Sequence, residues 1–139
     1  LDDPRVLRAP ADPYRVGTPY WERGGGLPEL PIGVTRDGTG RLPFIGTSVV
    51  LAGSFGAAAL AKLMVGRPFV NLELHGIDLA DAEMDGLQFL AKHQPDLRRS
   101  LAQKTEALRA TVQELRFQGY RFVTLAEAAE AFCASSPAG

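Results

Sequence analysis

His75 is one of two histidines in the chain, and it ends a run, Phe69-Val-Asn-Leu-Glu-Leu-His75, in which residue character alternates. An imidazole takes up and gives back a proton near neutrality, so a histidine at the end of such a run is a candidate general acid or base. Glu73 precedes it by two residues. On a strand that spacing puts both on one face about 6–7 Å apart, close enough for the carboxylate to orient the ring. A second group of residues suits binding rather than proton transfer. Tyr14, Tyr20 and Trp21 fall in residues 11–31, a stretch dense in Gly and Pro. Aromatics in such a loop line a sugar or peptide groove, or pin the loop to the core. His93, beside Gln94-Pro95, reads as a surface or capping residue. Asp81, Glu83, Asp85 and Gly86 begin like an EF-hand loop, but its twelfth position is Lys92 where a bidentate glutamate is required. They read instead as a solvated acidic loop leading into a helix.

The elements that would hold these residues follow from periodicity. In residues 69–75 one face is apolar (Val70, Leu72, Leu74), and the other becomes polar toward His75. That is the pattern of a strand packed on a core, with its site at the C-terminal end. Residues 96–118 form a helix with Leu97, Leu101, Leu108, Val112 and Leu115 as the buried stripe. Pro95 stands at its start and Gly119 just past its end. Its charges, among them Arg98, Arg99, Lys104, Arg109 and Arg116, read as a solvated face. Residues 120–124 suit a short strand. Thr124-Leu-Ala-Glu127 is a capping box opening a last helix to about Cys133, with a disordered tail over 135–139. Earlier in the chain, Val6-Leu7 suits the end of a short strand, residues 11–31 a long loop, residues 30–34 a short strand and residues 36–41 a turn. Residues 47–64 suit a helix of small side chains packed closely on a sheet or another helix. Residues 44–61 carry no charge, a run near the length of a membrane span but diluted by Gly, Ser and Thr. The second half thus reads as a βαβ arrangement with a parallel sheet.

Composition bounds the rest. The chain has 139 residues, 45% hydrophobic and 22% charged, with a net charge of −1, which suits one modest folded domain and offers no basic footprint for nucleic acid. Cys133 is the single cysteine, so an intrachain disulfide and a cysteine-rich zinc site are both excluded. Residues 1–9 are short and charged, unlike a signal peptide. The chain is expected to be soluble, cytoplasmic or membrane-peripheral. It opens at Leu1 rather than Met, as expected of a processed or truncated product.

Three motifs in order carry a family resemblance. Arg8-Ala-Pro10, followed by Tyr14, is similar to the Arg-x-Pro motif of the polysaccharide deacetylases, the NodB-homology carbohydrate esterases of family four. Leu72-Glu-Leu-His75 resembles that family's strand motif ending in histidine. Gly119-Tyr-Arg-Phe-Val-Thr-Leu-Ala-Glu127 resembles its closing strand and helix. The resemblance implies that residues 1–134 are the C-terminal part of a distorted β/α barrel of parallel strands flanked by helices. It also implies hydrolysis of the amide of an N-acylated saccharide, free or lipid-linked, with a divalent metal of the zinc type. In that reading His75 is the acid that protonates the leaving amine and Arg8 orients the base. Pro10, Tyr14, Tyr20, Trp21 and Glu73 shape the saccharide site.

The same resemblance marks what is missing. The family's base, its second aspartate and its His-x-x-x-His pair have no counterpart in this chain. Asp2-Asp3 adjoins the Arg-x-Pro segment and follows no strand, so it does not supply them, and no metal ligand is assigned. The family's Trp-containing motif, which pairs an aspartate with the acid histidine, is absent too. The chain alone is therefore expected to be inactive, awaiting an upstream segment or a partner chain. The alternative is a non-catalytic saccharide-binding or assembly module that uses its aromatics as stacking surfaces.

Overall fold

The computed structural model describes residues 3–36, 38 and 41–135. Asp2, half of the expected turn over residues 36–41 and all of the expected tail except Ser135 lie outside the described residues. The chain forms two compact units, Leu1–Pro31 with Arg121–Gly139, and Ile32–Tyr120.

In the first unit Asp3 opens a short 3-10 helix, Pro4–Arg8, by accepting the Arg5 backbone N–H at 2.9 Å. This helix stands where a strand end was expected. Residues 11–31 are a hairpin rather than a loop. Strand β1 (Tyr14–Val16) pairs antiparallel with β2 (Arg23–Glu29), and a bulge falls between Arg15 and Val16. The Gly/Pro density is compatible with this because both strands of a two-stranded sheet are edges, where a proline need not cost a ladder bond. The bulge also explains Gly26, where a Cβ would stand 2.6 Å from the Val16 carbonyl oxygen. Helix α3 (Leu125–Ser135) starts at the expected capping box. Glu127 accepts the Thr124 backbone N–H at 2.7 Å, and the Thr124 hydroxyl accepts the Glu127 N–H at 3.2 Å. Residues 121–124 are exposed and form no strand.

In the second unit helix α1 (Gly46–Leu63) packs on helix α2 (Leu101–Phe117). Val49, Ala57, Ala61 and Met64 join Phe44, Ala107 and Leu115 in one core. Of the small side chains of α1, Ala57 and Ala61 are buried in that core, whereas a Cβ at Gly53 would meet nothing within 4 Å. By length and composition α1 could also cross a membrane, and 28% of it is buried in this fold. Gly53 breaks its ladder with φ +67°, a conformation open to glycine. The Arg99 guanidinium donates to the Leu51 carbonyl at 3.1 Å, just before that break.

The helix expected over 96–118 is divided. A 3-10 helix, Pro95–Arg98, comes first, and α2 begins after Ser100, whose hydroxyl and Gln103 form a second capping box. Gly119 ends α2 with φ +88°, as its position predicts. The buried stripe of α2 is Lys104, Ala107, Thr111 and Leu115. Lys104 is therefore not on a solvated face. Its ammonium donates to the carbonyls of Ile77 (2.8 Å) and Ala80 (2.7 Å), which allows a charge there to be buried.

These elements overturn the expected fold class. Among the described residues the chain is a mixed fold of three α-helices, short 3-10 helices and one two-stranded antiparallel sheet, not part of a parallel β/α barrel. Strands exist through their neighbours, and the candidates here lack them. Residues 69–75 meet the chain at one parallel bridge, Ile45 to Glu73, and at two backbone bonds, Gly33 to Asn71 and Gly46 to Glu73, both 2.8 Å. The expected strand at 30–34 reduces to one antiparallel bridge between Val34 and Pro43. Val70 and Leu72 pack against the core as expected, whereas Leu74 is exposed.

Candidate functional site

The corner at His75 is built by the backbone on both sides of it. Before it, the Glu73 carbonyl accepts the Gly46 N–H at the first residue of α1. After it, the chain turns into a 3-10 helix, Gly76–Leu79, with His75 as the extended residue that opens it. Lys104 anchors that turn through Ile77 and Ala80.

Asp78, in the turn, has no solvent exposure. Its Oδ2 accepts the His75 backbone N–H at 2.7 Å, and its Oδ1 accepts the Thr47 hydroxyl at 3.4 Å. It lies against the start of α1, where Gly46 has no side chain; a Cβ at Gly46 would overlap the Asp78 carboxylate. Ile45, the residue capping α1, offers no side-chain acceptor. A carboxylate from another element thus sits at the positive end of this helix.

The His75 ring lies between two carboxylates. Its Nε2 is 3.7 Å from Glu73 Oε1, and its Nδ1 is 3.9 Å from Asp78 Oδ2. Both distances exceed a hydrogen bond and fall within ion-pair range once the ring is protonated. The His75 side chain is 59% exposed and Glu73 39%, so the ring is open to a ligand while Asp78 is sealed beneath it. The pairing of Glu73 with His75 is the one expected from strand alternation. Asp78 went unread in the sequence, and its only signal there is the His75-x-x-Asp78 spacing.

Arg8, Pro10, Tyr14, Tyr20 and Trp21 belong to the other unit. Arg8 is exposed at the end of the first 3-10 helix. Tyr14 pins the hairpin. Its ring is buried, its hydroxyl donates to the Tyr20 carbonyl at 3.0 Å, and the Arg23 guanidinium lies 5.9 Å over the ring. Burial, then the negative charge of Glu29, push its phenol above the ordinary tyrosine value. Tyr20 is exposed and meets Trp21 edge-on at 5.0 Å, and the Arg5 guanidinium lies 5.9 Å over the Trp21 ring.

Among the described residues no group of three His, Cys, Asp or Glu side chains could hold a metal ion. The acidic loop at Asp81 spends its carboxylates on backbone. Asp81 Oδ1 accepts the N–H groups of Glu83 (3.0 Å) and Met84 (3.2 Å), and Asp85 accepts that of Asp81 at 2.7 Å. Compared with models of protein families, with curated proteins and with solved structures, the chain matches none.

Proposed function

We propose that this chain is the part of a hydrolase that protonates the leaving amine when the amide of an N-acylated saccharide is cleaved, with His75 as the acid. The observation that supports this reading is an exposed imidazole with a carboxylate facing each ring nitrogen. When protonated, the ring lies within ion-pair range of both carboxylates, and its exposed side leaves a proton to give. The proton leaves Nε2 for the amine nitrogen as its C–N bond breaks, and the ring is left neutral. The described residues do not fit a divalent metal, so no step here passes through one.

The hydrolysis is tested on the native polypeptide that carries this sequence. It is assayed with zinc supplied, on N-acetylated chito-oligosaccharide, by the amine released. Turnover is expected, and His75→Gln is expected to lower it by about 100-fold or more, the usual contribution of a positioned general acid. Absence of amine release, or equal release by the variant, would sink the reading.

A second reading rests on the exposed Tyr20 edge-on to Trp21. In it the protein is a saccharide-binding module without turnover. Sugar-dependent quenching of Trp21 fluorescence, together with no amine release, would favour it.

A further inference from the structure

We infer that Glu73 is a subsite for an ammonium group, so that this corner takes an amine-bearing, cationic saccharide in preference to a neutral or carboxylate-bearing one. The role in hydrolysis rests on the reading above, while the charge preference stands on the corner itself. Glu73 Oε1 and His75 Nε2 are 3.7 Å apart, too far to bond each other directly. One nitrogen can stand about 3 Å from both, so the gap is the size of a bridging amine. Both side chains are open to solvent, Glu73 at 39% and His75 at 59%. In the reaction the leaving nitrogen takes the Nε2 proton as its C–N bond breaks, and the free amine then picks up a further proton from water. The ammonium so formed lies where Glu73 can pair with it. An ammonium already carried by the saccharide meets the same carboxylate.

The charge around the gap favours a cation. Residues 68–91 carry five acidic side chains and neither Lys nor Arg. Of the five, Asp78 is sealed against the positive start of α1, and Asp81 and Asp85 accept backbone N–H groups of their own loop. Glu83 is exposed within that loop. Glu73 is the carboxylate that is both open and beside Nε2. Lys104 reaches this turn from α2, but it is buried and gives its protons to the Ile77 and Ala80 carbonyls. With the ring neutral, Glu73 therefore has no cation beside it among the described residues, and a ligand can supply one.

The experiment reads binding and not turnover. Three glycosides of N-acetylglucosamine, 2-aminoethyl, 2-hydroxyethyl and carboxymethyl, match in sugar and size and differ in charge. Each is titrated into the isotope-labelled 139-residue chain at about pH 8, where an ordinary imidazole is neutral and the alkylamine is charged. The His75 ring signals report the site, and exposed His93, the other histidine, serves as the reference in the same spectrum. The aminoethyl glycoside is expected to shift His75 and not His93, with an affinity about 5-fold above the hydroxyethyl glycoside, as one solvent-exposed ion pair allows. The carboxymethyl glycoside is expected to bind weakest, and the order should flatten in about 0.5 M salt. Glu73→Gln is expected to make the aminoethyl and hydroxyethyl glycosides equal, whereas Glu83→Gln keeps the preference. No shift of His75 with the aminoethyl glycoside overturns the inference, as do equal affinities in the unmodified chain or a preference that survives in Glu73→Gln. A silent hydrolysis assay with the charge order intact would remove the hydrolase and leave the ammonium subsite. Turnover without any charge order would remove the subsite and leave the hydrolase.

Discussion

Two turns in the Ile32–Tyr120 unit each bury a charge-bearing side chain completely, and they treat it in opposite ways. At the first turn of α2, Lys104 lies with no exposed surface and gives its protons to the Ile77 and Ala80 carbonyls. In Pro95–Arg98, Asp96 is equally buried, and neither carboxylate oxygen has a hydrogen-bond partner. Burying a polar group is tolerable when its bonds are replaced and costly when they are not. Lys104 ties α2 to the turn beneath His75, so its burial contributes to the candidate site. The Asp96 carboxylate contributes no hydrogen bond among the described residues.

That contrast is broken most sharply at Lys104. Lys104→Met keeps most of the stem volume but leaves the Ile77 and Ala80 carbonyls without their donor. Each abandoned acceptor costs about 1–3 kcal/mol, offset in part because an ammonium no longer has to be desolvated. A net loss of about 2–3 kcal/mol is expected in urea unfolding, with the slope of the transition unchanged. Equal stability would show that the two bonds only balance the burial of the charge. Asp96→Ala should act in the other direction. It deletes two unbonded acceptors, worth about 1–3 kcal/mol, against a small cavity. A gain of about 1 kcal/mol is expected, and a loss would mean that Asp96 has a partner after all.

Local signals in the sequence predicted local structure. The helix at Gly46–Leu63, the capping box at Thr124 and Glu127 and the stop at Gly119 each depend on residues within one or two turns of one another. Pairing across the chain was not legible. The alternation in residues 69–75 is real, but a strand needs a neighbour along its length, and here it meets one bridge. The hairpin was hidden for the converse reason: prolines and glycines that argue against a central strand are permitted where both strands are edges. The stripe of α2 was misphased because Lys104 counted as solvated on its charge alone. Only the carbonyls of a turn 24 and 27 residues away make its burial possible. At the candidate site, Glu73 was readable from the period of a strand. Asp78 was not, because what makes it notable is its burial against Gly46, some 30 residues earlier in sequence, and this is a tertiary fact.

The smallest expected effect separates the exposed carboxylates from the buried one. Asp81 accepts the backbone N–H of Leu101 at 3.0 Å, at the first residue of α2, and those of Glu83 and Met84 within its own loop. These bonds, Leu101 first, hold its pKa below the ordinary carboxylate value, with Lys104 adding a minor pull. The sign follows from linkage. A carboxylate with a depressed folded-state pKa stabilises the fold fully above its unfolded value, about 3.9, and that contribution is lost as pH falls through the lower folded value. The unfolding midpoint in urea should therefore drop as pH falls below about 4. Asp81→Asn should flatten part of that acid limb and lower the plateau above it slightly. Glu127, held down by the Thr124 N–H at the start of α3, gives the same sign in the other unit. Glu127→Gln should flatten the limb read from that unit only. If Asp81→Asn kept the full acid slope, the bond to Leu101 would carry no stability, and the first turn of α2 would be held by Ser100 and Lys104 without it.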